Sequence, residues 1–275
     1  MQNKDSGIYD EESIKNVISF ITANNKNSEV PFSILTAIKI IYHAVQIFKI
    51  EKAALTINSK QDVVVVGDIH GSIESLLSIF KWTGDPSKTK YIFLGDYVDR
   101  GKNSCEVIIL LYAYKCLYPN NIYLLRGNHK FKELNSRYGF KEECNSRIII
   151  KINGKFYNTG VQYYERIAKS FEYLPICAIL NDDVFCVHGG ISSFVDDINV
   201  LKSIEKVGEV FQENSIQTEF LWNDPYFIRE KYRERYRGIG YMFNKRALND
   251  FLRKTNLKIE IRAHQDQINK GAKNK

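Results

Sequence analysis

The sequence lacks three features that would each assign it to a particular class of protein. Its five cysteines include no Cys-x-x-Cys pair, which argues against a zinc ribbon or a disulfide framework and for buried or free thiols in a reducing compartment. The N-terminal segment carries the acidic residues Asp5, Asp10, Glu11 and Glu12, whereas a signal peptide has cations followed by an apolar run. The apolar segment 31–50 contains Lys39 and Lys49 and is too short and too charged to span a membrane. We therefore expect a soluble protein of the cytoplasm, the nucleus or both, without a membrane partner.

Large blocks of one charge are also scarce. The net charge is +7 over 275 residues, yet the cations are scattered apart from residues 229–237 and 270–275, so we expect no nucleic-acid partner. There is no internal repeat, low-complexity tract or linker. The chain is therefore predicted to be a single domain over residues 1–275, with a helical N-terminal part (1–54) and a frayed polar tail (266–275).

Hydrophobic periodicity predicts an α/β fold. Residues 10–54 predict two amphipathic helices. Strands are then predicted at 63–68, 91–96 and 122–127, separated by helices at 72–82 and 104–117. This βαβαβ order is typical of a parallel sheet with helical crossovers, whose strand ends lie along one edge.

Farther along the chain the local signals are less uniform. Asn153-Gly154, between apolar segments 148–152 and 155–157, predicts a two-residue β-hairpin within the otherwise helical region 131–180. Strands are predicted at 184–187 and 257–261, and residues 191–255 are predicted to be mixed.

Acidic, amide and imidazole side chains cluster at the predicted strand ends, which hold four of the five histidines. Carboxylate, amide oxygen and imidazole suit a pair of divalent ions such as Mn²⁺, Fe²⁺/Fe³⁺ or Zn²⁺. Two ions about 3.5–4 Å apart can hold a phosphoryl group and activate water. Asp96 follows the middle strand, where a bridging carboxylate is needed. The cluster comprises Asp68, His70, Asp96, Asn128, His129, His188 and His264.

Three glycine-bearing motifs surround these residues: GDIHG at 67–71, GDYVDRG at 95–101 and GNHK at 127–130. With residues 186–190, 220–225, 237–238 and 262–265, they make residues 63–265 resemble the phosphoprotein phosphatase family of Ser/Thr protein phosphatases, types 1, 2A and 2B. The resemblance implies a calcineurin-like metallophosphoesterase fold: a β-sandwich flanked by helices around a βαβαβ metal-binding core. It also implies hydrolysis of phosphoserine and phosphothreonine in proteins by hydroxide that two metal ions activate.

The same resemblance implies a role for each residue of the site. Asp68, His70 and Asp96 would hold a first metal. Asp96, Asn128, His188 and His264 would hold a second.

The catalytic set implied by the resemblance is His129, Asp99, Arg100 and Arg237. His129 would protonate the leaving oxygen, and Asp99 would orient the imidazole of His129. Arg100 and Arg237 would bind phosphate oxygens through their planar guanidinium groups. The implied partners are phosphoprotein substrates and regulatory subunits.

Several alternatives remain open from the residues themselves. Asp99 and Arg100 could form a turn ion pair, and Arg237 could belong to a solvated charged face. Arg126 is interpreted as a structural cation, and Trp222 and Asp224 as parts of the scaffold. The alternative functions are a catalytically weak or inactive phosphatase-like binding protein and a small-molecule phosphohydrolase of the same superfamily, such as a dinucleoside polyphosphatase.

The sequence departs from the family pattern at three places. Lys130 stands where the family has glutamate, and the predicted hairpin lies where relatives tend to stay helical. The sequence ends ten residues after Gln265, without the further strands and the SAPNYC loop of relatives. We accordingly expect an uncovered sheet edge, reduced stability and weakened activity.

Overall fold

Alternating side chains on two β-sheets divide the apolar interior into three layers. The structure is a computed structural model that describes residues 10–23, 30, 32–128, 139–206, 208, 214–235 and 239–265, except the side chains of 151 and 152. Tyr91 packs among helices, while its neighbour Ile92 packs between the sheets. On the second sheet, Ala178 faces the same inter-sheet layer and Ile179 faces a third cluster. The period of two along each strand therefore produces a helix–sheet–sheet–helix sandwich.

The first sheet is the predicted parallel sheet. Its strands β2 (Val63–Val66), β3 (Lys90–Phe93) and β4 (Ile122–Leu124) are hydrogen-bonded in the order β2-β3-β4. Helices α3 (Ile73–Thr83) and α4 (Ser104–Leu117) make the crossovers. The strands are shorter than predicted because the chain leaves extended geometry before the polar strand ends: Asp96 has a φ of 50°. The predicted βαβαβ core is confirmed.

The second sheet was only partly predicted. It has the order β1-β7-β8-β12, formed by β1 (Ala54–Ile57), β7 (Cys177–Leu180), β8 (Val184–Val187) and β12 (Ile259–Ile261). Strands β7 and β8 are antiparallel, and the other two pairings are parallel. The two helices predicted within residues 10–54 are present, but strand β1, which begins at Ala54, was missed. Glu51 is extended (φ −70°, ψ 143°) and ends the preceding helix. Strand β7 was missed within a region predicted to be helical.

Helices cover the outer face of each sheet. The first sheet packs against α1 (Glu11–Ala23), α2 (Ile34–Ile50), α4, α5 (Phe140–Arg147) and α6 (Gly160–Ser170). The second packs against α7 (Ile198–Ser203), α8 (Ile216–Trp222) and α9 (Lys245–Thr255). Among the described helices, none is both long and apolar enough to cross a membrane. The predicted sandwich flanked by helices is thus confirmed.

Two smaller sheets complete the fold. The predicted hairpin is present as β5 (Ile149–Ile152) and β6 (Lys155–Asn158), which pair antiparallel. Its turn residues Asn153 and Gly154 have φ values of 48° and 81°, as a tight hairpin turn requires. Strands β9 (Asp224–Pro225), β10 (Tyr232–Glu234) and β11 (Tyr241–Phe243) form the other sheet, within the region predicted only as mixed.

All five cysteines lie in the described part of the chain, and each is buried and forms no disulfide. They are Cys105, Cys116, Cys144, Cys177 and Cys186. The structure therefore confirms the predicted buried or free thiols and shows no disulfide among them.

Candidate active site

The loops that follow β2 and β3 are joined by backbone hydrogen bonds. The amides of Ile69 and His70 donate to the carbonyl of Asp96 at 3.1 and 2.9 Å, and Gly71 N donates to Tyr97 O at 2.8 Å. A Cβ atom on Gly101 would lie 2.2 Å from the carbonyl oxygen of His70. Only glycine at position 101 allows the two loops to approach this closely.

The second sheet brings its own strand ends to the same place. His188 follows β8 and His264 follows β12, and the amide of Ala263 donates to the carbonyl of His188 at 3.0 Å. The two imidazole centroids are 5.1 Å apart. The amide nitrogen of Asn128, which follows β4, lies 3.0 Å from His264 Nδ1. All six predicted metal ligands are therefore brought together where the carboxyl ends of both sheets converge.

Distances within this cluster are slightly longer than those between ligands that share an ion. His70 Nε2 lies 3.8 Å from Asp68 Oδ2 and 3.8 Å from Asp96 Oδ2. His188 Nε2 lies 3.5 Å from Asp96 Oδ2, and His188 Nδ1 lies 3.7 Å from Asp68 Oδ1. Ligand atoms of Asp68, Asp96 and His188 all lie within 4.8 Å of one another. Donor atoms about 2.0–2.2 Å from a common ion are separated by roughly 3–3.5 Å, so these groups need only small shifts to bind one.

Unsatisfied polar atoms support a cation at this position. Both ring nitrogens of His188 and the Oδ1 atom of Asn128 are buried and have no hydrogen-bond partner among the described residues. Leaving such atoms buried and unpaired is unfavourable unless something binds them. His70 places Nδ1 3.0 Å from the carbonyl of Val98, which leaves Nε2 facing the two carboxylates. The donor set therefore fits a divalent metal.

Burial also favours the protonation state that a metal requires. Burial lowers the pKa of His70. Burial, together with the neighbouring His188, lowers the pKa of His264 to about 2. Only a neutral imidazole can bind a metal through its free nitrogen. These histidines are thus held in the binding form at neutral pH.

Five residues of the predicted site have left-handed backbone conformations. The φ values are 45° for His70, 50° for Asp96, 72° for Asp99, 66° for Arg100 and 71° for His264. Each such residue costs about 1–3 kcal/mol and persists only where the surroundings impose it. The described chain has ten non-glycine residues with positive φ, and the five outside this site are all asparagine or aspartate, which adopt the left-handed conformation more readily than histidine or arginine.

The predicted catalytic residues are only partly described. His129 and Arg237 lie outside the described residues. Asp99 is buried, and its Oδ1 accepts the amide of Phe140 at 3.1 Å. Arg100 is exposed and lies two residues after Val98, whose carbonyl is 3.0 Å from His70 Nδ1. Its charge helps to lower the pKa of His70. The roles assigned to these four residues stay predictions.

Charged side chains form a network around His264 that was only partly predicted from the sequence. Asp224 forms ion pairs with Arg235 at 2.9 Å and Arg262 at 2.7 Å. Arg235 also donates to the carbonyl of Trp222 at 2.7 Å. Residues 220–225 and 262–265 stand out as motifs, but Arg235 is hidden within the charged segment 229–237.

This four-layer sandwich, with carboxylates and imidazoles converging at the strand ends, has the architecture of a metallophosphoesterase. Residues 62–267 match the family described as calcineurin-like phosphoesterase, and the chain belongs to that family.

Two relatives support the predicted resemblance to Ser/Thr phosphatases. The chain is 39% identical over 203 residues to the serine/threonine-protein phosphatase 4 catalytic subunit of Saccharomyces cerevisiae, covering 74% of this chain and 62% of that protein. It is also similar to a solved protein serine/threonine phosphatase from Saccharomyces cerevisiae with similarity to human phosphatase PP5. That match has a TM-score of 0.78 and 29% identity, and covers 94% of this chain and 78% of the other. The chain spans less than two thirds of the length of the yeast phosphatase 4 catalytic subunit.

Proposed function

We propose that this chain hydrolyses phosphoserine and phosphothreonine in proteins. The observation that carries the proposal is the convergence of six carboxylate, amide and imidazole ligands at the ends of two sheets. The similarity to the yeast phosphatase 4 catalytic subunit supports a protein substrate. Phosphoprotein substrates and regulatory subunits are the corresponding partners.

The described side chains indicate how metals would be held. Asp68, His70 and Asp96 would hold one divalent ion, and Asp96 with Asn128, His188 and His264 would hold a second. Because carboxylate, amide and imidazole ligands are mixed, Mn²⁺, Fe²⁺/Fe³⁺ and Zn²⁺ are the candidates. Such ions, when bound, would neutralise phosphate charge and activate water at neutral pH.

The remaining chemistry belongs to the side chains around the ligands. Arg100 lies beside the cluster and is exposed, so its guanidinium can bind two phosphate oxygens. Arg237 would bind the phosphate as well. His129 would donate a proton to the departing serine or threonine oxygen, since an alkoxide is a poor leaving group, and Asp99 would fix the orientation of that imidazole.

We further propose a location in the cytoplasm, the nucleus or both. The support is chemical: all five cysteines are buried and none of them forms a disulfide, which is typical of proteins from reducing compartments.

The function is tested by metal analysis combined with turnover of a phosphoserine peptide. We expect bound divalent metal and hydrolysis that a chelator abolishes. Metal binding without turnover of any phosphoester would favour a binding protein. Turnover of a diadenosine polyphosphate with none of the peptide would favour a small-molecule hydrolase.

A further inference from the structure

The carboxylate of Glu143 caps a helix that belongs to another part of the chain. Glu143 lies on α5, and its Oε2 and Oε1 atoms accept the amides of Ser104 and Cys105, each at 3.0 Å. Those amides open α4, where the first N–H groups of a helix have no partner within the helix. Asn103, at the N-cap position of α4, makes no side-chain capping bond within the described structure. Glu143 therefore supplies the cap from outside.

A buried ion-pair network fixes Glu143 in place. Arg147 Nη1 lies 3.0 Å from Glu143 Oε1 and donates to Glu106 Oε2 at 2.8 Å, and Arg147 Nη2 also binds Glu106. The side chains of Glu143, Arg147 and Glu106 are only 8%, 12% and 4% exposed. Charges this buried are held by their partners, since moving one away leaves another unpaired.

The segment that Glu143 anchors carries Arg100. Asp99 and Arg100 are consecutive left-handed residues, with φ values of 72° and 66°, a combination that the surroundings must enforce. Helix α5 forms hydrogen bonds with both ends of this segment, residues 99–105. Its first residue, Phe140, donates to Asp99 Oδ1 at 3.1 Å, and Glu143 accepts from Ser104 and Cys105.

The same segment is locked to the loop that holds His70. The amide of Asn103 donates to the carbonyl of Gly71 at 3.0 Å. A Cβ atom on Gly71 would lie 2.6 Å from Ser104 Oγ. A shift at the start of α4 would therefore move the backbone of Arg100 relative to the metal ligands.

We infer that Glu143 is a positioning residue for phosphate binding, which acts by holding the segment 99–105 so that the guanidinium of Arg100 faces the metal cluster. This inference rests on the proposed function only in taking Arg100 as a phosphate ligand. Glu143 itself lies too deep to be a ligand and touches the backbone of α4.

The test is the binding of inorganic phosphate to the manganese-loaded protein, measured by calorimetry. Glu143→Gln keeps the shape of the side chain but replaces one acceptor oxygen with a donor that faces an amide. We expect its phosphate Kd to rise about tenfold, which corresponds to about 1.4 kcal/mol, with unchanged manganese content. In a peptide assay KM should rise more than kcat falls.

A double-mutant cycle shows whether the effect passes through Arg100. Arg100→Ala should weaken phosphate binding by itself, and adding Glu143→Gln should then change the Kd less than twofold. Additive losses in the double variant would overturn the inference. If Glu143→Gln does not fold, Glu143→Asp takes its place in the cycle, because it keeps the charge and withdraws the carboxylate from the amides.

A control separates positioning from general stability. Asn244→Ala removes the N-cap of α9, where Asn244 Oδ1 accepts the amide of Ala247 at 3.1 Å. This variant should lower the melting temperature and leave the phosphate Kd within twofold of wild type. An equal rise in Kd for Asn244→Ala would overturn the inference.

The inference and the proposed function fail in different ways. If the wild-type protein binds phosphate but does not hydrolyse the peptide, the proposed function is wrong and the cycle still tests Glu143. If it hydrolyses the peptide and Glu143→Gln leaves the Kd unchanged, only the positioning role is wrong.

Discussion

The Oδ2 atom of Asp224 lies 3.7 Å from Nε2 of His264. Asp224 is itself buried and paired with Arg235 and Arg262. Burial raises the pKa of its carboxyl, while the two arginines act in the opposite direction. The carboxylate thus fixes the surroundings of a predicted metal ligand without belonging to the predicted ligand set, as outer-shell carboxylates of metal sites commonly do.

Asp224→Asn is expected to weaken metal binding. Loss of an outer-shell partner typically lowers metal affinity about 10–100-fold, so the variant should lose manganese to a chelator at correspondingly lower chelator concentrations. Asp250→Asn is the matched control, since Asp250 pairs with Lys231 and Arg253 on the surface. Equal chelator sensitivity of Asp224→Asn and wild type would contradict a role for Asp224 at the metal.

Asp96→Asn is expected to remove bound metal or nearly all activity. Asp96 approaches both His70 and His188, and an amide lacks the charge needed to bridge two cations. Metal content and peptide turnover are the measurements, with Asp85→Asn on an exposed turn as the control. Wild-type metal content combined with wild-type turnover in Asp96→Asn would contradict the assignment of Asp96 as a metal ligand.

His129→Gln is expected to discriminate between substrates. General acid catalysis contributes about 10²–10⁴-fold, and p-nitrophenolate leaves readily without a proton. Turnover of a phosphoserine peptide should therefore fall at least about tenfold further than turnover of p-nitrophenyl phosphate. Parallel losses on both substrates would mean that His129 acts through structure instead.

Stability should depend on pH through Glu260. Burial raises the pKa of this β12 carboxyl to about 7, so the folded chain binds the proton more tightly than the unfolded chain. The free energy of unfolding should accordingly fall as pH rises from about 4.5 to above 7. Glu260→Gln removes this effect.

The melting temperature of Glu260→Gln should therefore exceed that of wild type by about 2–4 °C at pH 8, or roughly 1 kcal/mol. It should be close to wild type at pH 5. The control is Glu234→Gln, at an exposed position on β10. A gain at pH 5 as large as that at pH 8 would exclude ionisation as the cause.

Two glycine-to-alanine substitutions should behave oppositely. In Gly101→Ala the new methyl group would meet the His70 carbonyl at 2.2 Å, so activity and metal binding should both be lost. Gly154→Ala meets no atom within 4 Å and is opposed only by its φ of 81°, so it should cost about 1–2 kcal/mol of stability and leave activity intact. Melting curves and peptide assays compare the two, and full activity in Gly101→Ala would disprove the tight loop contact.

The sequence by itself determined the elements whose signals are local. The valine strand at 63–66, helix 104–117 and the Asn153-Gly154 hairpin follow from periodicity and turn chemistry, which act over a few residues. The six metal-ligand candidates could be predicted because each lies within four residues of the end of a strand, and parallel strands end at a common edge.

Only the tertiary structure decided the partners that lie far apart in the chain. The short strand β1 begins four residues after the end of α2, and its role appears only in its pairing with β7. Arg235 becomes part of the site because Asp224 and His264 face it. Glu143 reaches the amides of α4 because α5 packs against the start of that helix. Such contacts depend on how sheets and helices stack, and no short stretch of sequence contains that information.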